Sequence, residues 1–343
     1  MPHASWIVRS TDLISVRISA LISPAVQTQA QARAVFLGLA LGSIVSLPAF
    51  ASAPAADQTI KLADIHGVES LKKFEQMGHD LSVQRANLRY FQFALEDGAR
   101  VSLVYARLNP LEKNGLRLMP CLAGRTEPTS VGAARVKALA AVNGGYFNLS
   151  DGESASYIVL NGVIEADPTK NRALVENEKL KPFLPQIFNR SELRVLRQKS
   201  SGRMHYTIAC HNEPVREDYL LVDSLQGGPR LLPELTAERE AFVRTEADRK
   251  VVDSIGCNRT AARTFIGLNE KDELFIVCVA GKKQDEFSAG ISLVTAARLL
   301  SALGASEGLN FDGGTSATMI VAGKMVVGRI PETLVKSTLC LVD

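Results

Sequence analysis

Between Ile291 and Met319 the chain passes from an amphipathic helical pattern into a short strand and then an acidic glycine turn, and no other stretch limits the fold as closely. Leu293, Ala296, Ala297, Leu300 and Leu303 recur three or four residues apart, with Ser292 and Arg298 between them, which predicts a helix over 291–303 with one apolar face. Gly304 reads as its stop. Gly308 to Phe311 then reads as a strand that delivers Asp312, followed by Gly313, Gly314, Thr315 and Ser316. The two glycines lack Cβ atoms, so a ligand can approach the main chain and the turn can take positive φ. Successive N–H groups in such a turn form an anion-binding concavity, to which the two hydroxyls add donors. Asp312 beside it suits an acid, base, nucleophile or cation ligand. Taken alone, the same residues also describe an ordinary turn in which the aspartate caps its own backbone.

The first 53 residues differ from the rest. Arg9, Arg17 and Arg33 stand against Asp12 alone, an apolar run follows from Val35 to Phe50, and Ala51-Ser52-Ala53 is a small-residue cleavage pattern. Residues 1–53 therefore read as a signal peptide, which implies a periplasmic or secreted protein. The apolar run is short for a bilayer span and is interrupted by Gly42, Ser43, Ser46 and Pro48, so no stable membrane span is expected after cleavage. Without the leader, 36 basic and 35 acidic side chains remain. With no basic cluster either, nucleic acid is not an expected partner.

All five cysteines, at 121, 210, 257, 278 and 340, lie in the exported part, where disulfides can form. Cys278 and Cys340 sit in apolar strand-like runs and read as core thiols, which leaves Cys210 and Cys257 in polar loops as the better-placed pair for a bridge. The five histidines are scattered, with only His205 and His211 close together, so neither a zinc site nor a histidine-based triad is indicated.

Residues 54–84 are polar and helical in part, around VESLKKFEQM. Leu88–Phe93 and Ala99–Leu108 alternate about Asp97-Gly98 as a hairpin does. Leu116–Leu122 reads as a strand and Ser130–Lys137 as a short helix. A small apolar strand from Ala138 then delivers Asn143, Gly144, Gly145, Tyr146 and Phe147, where backbone can approach a ligand and an aromatic face can carry a sugar ring. Tyr157–Ile164 forms a hairpin about Asn161-Gly162. The charged, proline-bearing stretch Glu165–Ser201 lacks steady periodicity and reads as an excursion at the mouth of a site. Tyr206–Cys210 is a strand, and Leu225–Leu232 places Gly227, Gly228 and Pro229 between apolar residues. Ala262–Leu268 and Leu274–Ala280 form a last hairpin whose Arg263 needs an anion or hydrogen-bonded partners, either a structural salt bridge, for which Asp312 is a candidate, or a phosphate or carboxylate ligand.

Taken in order, NGGYF, GGP, RTFIG with its LFIVCVAG partner, and the helix running into LNFDGGTS make a set that resembles the phosphodiester glycosidase family over roughly Arg85 to the C-terminus. That resemblance implies an α+β fold of mixed sheets of short strands with a few covering helices, in one domain over 85–343. It implies hydrolase activity on the sugar–phosphate bond of a glycosyl-1-phosphodiester, with envelope glycan or exopolysaccharide as substrate. The family's motif residues fall on Asn143, Gly144, Gly145, Phe147, Gly228, Pro229, Arg263, Thr264, Asp312, Gly313, Gly314 and Ser316. Thr315 stands where the family commonly has glycine, and Ala280 where an acidic residue is common.

From residue types, Arg263 and the Gly313 and Gly314 N–H groups are expected on the phosphate, Asp312 as the carboxylate, and Asn143 on the sugar or in positioning. Asp151, Glu153, Asp285 and Glu286 are the candidates for a second carboxylate. No cofactor is specified by these motifs. Mg²⁺ or Ca²⁺ on Asp312 belongs to an alternative, a metal-dependent phosphodiesterase cutting the P–O bond. A polysaccharide-binding protein of the same fold without turnover is the alternative outside enzymes.

Overall fold

The computed structural model describes residues 59–76, 87–108, 115–283 and 285–343. The leader read at 1–53 lies outside the described residues, as do the parts of 54–84 on either side of 59–76. In chain order the strands and α-helices are β1 (Thr59–Ile60), β2 (Leu88–Leu95), β3 (Arg100–Arg107), β4 (Arg117–Pro128), α1 (Thr129–Arg135), β5 (Ala140–Asn143), β6 (Ile158–Leu160), β7 (Val163–Ala166), α2 (Arg172–Val175), α3 (Leu184–Phe188), β8 (Ser191–Gln198) and β9 (Met204–Cys210). They continue with β10 (Tyr219–Gln226), β11 (Arg230–Leu232), β12 (Val243–Thr245), β13 (Val251–Asp253), β14 (Arg263–Leu268), β15 (Glu273–Ala280), α4 (Leu293–Leu303), β16 (Glu307–Asn310), β17 (Met319–Val321), β18 (Lys324–Val327) and β19 (Leu334–Val342).

The strands form three main sheets, ordered β1-β2-β3-β15-β14-β16-β11, β7-β6-β10-β8-β9 and β18-β17-β5-β19-β4, with β12-β13 as a separate ribbon. Mixed sheets with few helices are what the sequence predicted. The seven-stranded sheet is buried on both faces, which explains why β14 and β15 read as unbroken apolar runs. Along β15, Leu274, Ile276, Cys278 and Ala280 face a core shared with the two five-stranded sheets, where Ile158, Leu193, Leu225, Val142 and Leu339 lie. Phe275, Val277 and Val279 face the other way, onto Leu293, Leu299, Leu300 and Leu303 of α4. The α4 helix begins at Ser292, whose hydroxyl caps the Thr295 N–H, and stops at Gly304 with φ +97°, as its spacing predicted.

Around VESLKKFEQM the chain forms a 3₁₀ turn over Val68–Phe74, not an α-helix, and its Val68, Leu71 and Phe74 join the α4 side of the core. Both early hairpins are present. β2 and β3 pair in the register Leu88↔Ala106, and β6 and β7 turn through Asn161 and Gly162, both at positive φ.

Two sequence expectations need correcting. The stretch 165–201 is an excursion only up to about residue 189, because Ser191–Gln198 is the buried strand β8, flanked by β10 and β9 in its sheet. Its charged residues hid it. Glu192 and Arg194 project together and pair inside the protein at 2.7 Å, and the Arg194 terminal nitrogens bond the carbonyls of Cys210, His211 and Glu213. Glu192 also lies 2.8 Å from His211 Nδ1, and that ring stacks on Tyr157 at 3.7 Å. The second correction concerns sulfur. Cys210 and Cys257 are free thiols on different parts of the fold, one ending β9 and the other buried in the α4 core. The neighbouring sulfurs are those of Cys121 and Cys340, 3.8 Å apart across β4 and β19.

Candidate active site

The four motifs meet where the end of β5, the start of β14, the end of β16 and the start of β17 come together. Asn143, the last residue of β5, is completely buried and holds three of these elements at once. Its amide nitrogen donates to the Asp312 carbonyl at 2.6 Å. Its amide oxygen accepts from the Thr264 hydroxyl at 2.7 Å and from the Thr318 N–H at 3.1 Å. With both ends engaged, Asn143 positions the Asp312 turn and has little left for a sugar.

Gly144 and Gly145 allow close backbone packing. The Gly144 N–H donates to the Ser337 carbonyl and its own carbonyl accepts from the Asp312 N–H. A Cβ on Gly145 would lie 2.4 Å from the Gln226 carbonyl oxygen, so only glycine fits there. Tyr146 turns inward. Its hydroxyl lies 2.8 Å from the Gly228 carbonyl and 3.3 Å from that of Phe311, and accepts from the Asn310 amide at 3.0 Å. Gly228 and Pro229 close the same knot, since the Gly228 N–H donates to the Asn310 carbonyl and the Asn310 N–H to that of Pro229. Phe147 is half-buried and bridged to Ser154, which leaves part of its ring free to face a ligand.

Asp312 itself has a half-exposed residue surface, while its carboxyl group sits among protein atoms. Burial pushes its pKa from 3.8 up to about 6, and hydrogen bonds from the Ser316 hydroxyl and the Gly313 N–H oppose that rise. The Gly313 N–H donates to Asp312 Oδ1 at 3.0 Å and the Gly314 N–H to the Ala262 carbonyl at 2.9 Å. Both N–H groups expected on the phosphate therefore have partners inside the protein. Gly314 carries the left-handed conformation at φ +57°, and Thr315 is exposed outside it, which is why a threonine is accommodated there. A cleft of about 630 Å³, lined by Ile255, Gly256, Arg259, Thr260, Ala261 and Ser288, opens beside this turn.

Arg263 is placed differently from the sequence expectation. It is buried, but neither a carboxylate nor open space faces it. Its nitrogens donate to the carbonyls of Ile291 (3.1 Å), Ile255 (3.0 Å), Gly256 (2.6 Å) and Arg259 (2.9 Å). It staples the 255–259 loop and the start of α4 to β14, and burial lowers its pKa. Arg263→Lys supplies fewer donors in a different geometry, so it is expected to lower stability by about 2 kcal/mol. Thermal melting would check this, and the KM of the folded fraction should change little.

Of the second-carboxylate candidates, Asp151 accepts the Glu153 N–H at 2.8 Å, and Glu286 folds back onto the Lys282 N–H at 2.7 Å, beside the position after Ala280. Glu153 and Asp285 are exposed, and none of the four hydrogen-bonds to the Asp312 turn. Among the described residues no group of three or more histidine, cysteine, aspartate or glutamate side chains is arranged to hold a metal ion. No helix among them is long and apolar enough to cross a membrane. Sequence reasoning missed Asn310 and Ser337, which bond the motif backbones from within strands. Their signal is a polar residue inside an apolar strand run, as in LNF and KSTLCLV.

The family model described as phosphodiester glycosidase matches residues 136–337. The chain belongs to the phosphodiester glycosidase family. The match contains Asn143, Gly228, Arg263 and Asp312, while the β2–β3 hairpin falls outside it. Among solved structures, the fold is similar to the zebrafish N-acetylglucosamine-1-phosphodiester α-N-acetylglucosaminidase catalytic domain auto-inhibited by its pro-peptide. The TM-score there is 0.54 and the identity 16%, over 78% of this chain and 87% of that one. It is also similar to a hypothetical protein from Synechocystis, with a TM-score of 0.50 and 15% identity over 75% of this chain, which spans 62% of that protein's length. A third is a Burkholderia pseudomallei protein provisionally described as exported, with a TM-score of 0.52 and 16% identity over 75% of this chain and 74% of that one. No curated protein shows significant similarity in sequence. In this member of the phosphodiester glycosidase family the glycine motifs lie in one place, with Asp312 as the acidic group of their turn.

Proposed function

We propose that the protein is an exported hydrolase that cleaves the glycosidic C–O bond of a sugar-1-phosphodiester in cell-envelope or exopolysaccharide material. The observation that carries this reading is the enclosed carboxyl of Asp312, raised to about 6 by burial and held at the meeting point of the four motifs. Family membership supports the reaction class, and the zebrafish relative is named for an N-acetylglucosamine-1-phosphodiester. The leader pattern in residues 1–53 supports a periplasmic or secreted location.

In this reaction water attacks the anomeric carbon, the C–O bond to phosphate breaks, and its electron pair leaves with the phosphate oxygen as a phosphomonoester. That leaving group is a weak base and requires little protonation. Asp312 faces the oxocarbenium-like centre as a carboxylate and takes the proton of the attacking water, and a pKa near the working pH suits a general base. Ser316 and the Gly313 N–H bond the carboxylate, Asn143 braces its turn through the Asp312 carbonyl, and Phe147 offers a face to the sugar.

Because the ionised form is the active one, kcat/KM should rise with pH through about 6 and then level off. A pH–rate profile that falls across that range would assign Asp312 as an acid instead. Product identity tests the reaction class. Protein without the leader, incubated with N-acetylglucosamine-1-phosphate diesters, should release free reducing sugar and a phosphomonoester by phosphorus NMR, equally with and without chelator. Sugar-1-phosphate as the product, lost in chelator, would mean metal-dependent P–O cleavage.

A further inference from the structure

Two arginines, Arg190 beside Tyr146 and Arg244 beside Phe183, differ from Arg263 and Arg194. Arg263 and Arg194 have their donors matched to carbonyls or to a carboxylate, as burial demands. Arg190, immediately before β8, is only 9% exposed, yet it makes one protein hydrogen bond, from Nε to the Glu240 carbonyl at 3.0 Å. Its terminal nitrogens have no acceptor among the described residues. The guanidinium lies on the Phe242 ring at 3.7 Å and reaches the Tyr146 ring at 5.9 Å. The nearby Glu240 carboxylate favours its charge but gives its terminal nitrogens no hydrogen bond, because the carboxylate oxygens accept from the Ser191 hydroxyl and N–H, the Arg230 N–H and the Thr236 hydroxyl.

Arg244, two residues beyond Phe242, repeats the pattern. Its Nε is enclosed without an acceptor, and one terminal nitrogen is 3.4 Å from Glu246 Oε1, a carboxylate that also lies 3.5 Å from Lys179 Nζ. Burial lowers the Arg190 pKa to about 10, with Arg244 acting in the same direction and Tyr146 and Glu240 against it. The Arg190 fork is thus enclosed beside aromatic faces with no acceptor of its own, an arrangement that an oxyanion would complete. Tyr146 links it to the Asp312 turn, with its ring against Arg190 and its hydroxyl on the carbonyl of Phe311.

We propose that Arg190, assisted by Arg244, is the group that binds the phosphate oxygens of the substrate, with the planar fork of Arg190 taking two non-bridging oxygens at once. This rests on the sugar-1-phosphodiester reading for the reaction it serves, and it moves the phosphate from Arg263 to Arg190. A planar carboxylate fits the same fork, so a uronic acid would be the other source of the anion.

The test is titration of the whole protein with inorganic phosphate and with glucuronate by calorimetry, alongside steady-state kinetics on a sugar-1-phosphodiester. Arg190→Gln and Arg244→Gln are each expected to weaken phosphate binding at least ~10-fold and to raise KM more than they lower kcat. Arg190→Lys should recover part of the affinity, and Arg216→Gln, at an exposed ion pair, should behave as wild type. Unchanged phosphate affinity and KM in folded Arg190→Gln would overturn the proposal. If that variant does not fold, unchanged values in Arg244→Gln would do so. Tighter binding of glucuronate than of phosphate would also overturn it. Phosphate binding that depends on Arg190, without turnover of any sugar-1-phosphodiester, would refute the proposed function and leave this inference standing. Turnover with an undiminished kcat/KM in both glutamine variants would do the reverse.

Discussion

Asp312→Asn is expected to lower kcat by roughly 10²–10⁴-fold and at the same time to make the protein more stable. The two effects have one cause. Burial raises the carboxyl pKa from 3.8 to about 6, so the folded state binds the proton more tightly than the unfolded state does. The energetic cost of the buried charge is absent below the unfolded value and fully present above the folded one. Stability from this group therefore falls as pH rises between about 4 and 6. A shift of about 2 units corresponds to at most about 3 kcal/mol at neutral pH. Asparagine keeps an oxygen for the Gly313 N–H and carries no charge, so denaturant unfolding at pH 7 should show a gain of roughly 1–3 kcal/mol. That gain should vanish near pH 4. A folded Asp312→Asn protein with full activity would remove Asp312 from the chemistry, and one that is less stable at pH 7 would mean the carboxylate is held favourably.

The second large effect is expected at Asn143, where the loss is structural first. Asn143→Ala leaves the Thr318 N–H and the Asp312 carbonyl without their Asn143 partner in a fully buried place, and the Thr264 hydroxyl with only the Cys278 thiol. Each orphaned group costs about 1–3 kcal/mol, so a total near ~4 kcal/mol is expected from denaturant unfolding. Activity should fall further than the folded fraction does, because the Asp312 turn loses its hydrogen bond to β5. Asn143→Asp should be no better, since a carboxylate oxygen would face the Asp312 carbonyl that the amide nitrogen now serves. If Asn143→Ala changes only KM and leaves stability alone, the residue contacts substrate instead of bracing the turn.

Local patterns in the sequence reported this fold well wherever one face of an element meets the core. The period of α4, its Ser292 and Gly304 boundaries and the two glycine-turn hairpins are local signals, and the structure keeps them. The four glycine motifs were also legible as a set, and they do converge. What was not legible is which partner each polar group finds, since that depends on strands distant in sequence. Arg263 in an apolar strand signals a need for acceptors, but nothing in its neighbourhood says they are the carbonyls of residues 255, 256, 259 and 291. The Gly313 and Gly314 N–H groups likewise looked open until Asp312 Oδ1 and the Ala262 carbonyl were seen to take them. β8 escaped notice because its buried polar face, Glu192 with Arg194, looks in sequence like an exposed one. Arg190 lies at its start and was passed over with it.

The central claim is that water attacks carbon, with Asp312 as the base. Hydrolysis of a sugar-1-phosphodiester in ¹⁸O-water, followed by mass spectrometry of both products and run beside Asp312→Asn, tests it most directly. The label should appear at the anomeric carbon of the released sugar, with none in the phosphomonoester, and turnover in the variant should fall roughly 10²–10⁴-fold. Label in the phosphate would contradict the account by placing the attack at phosphorus.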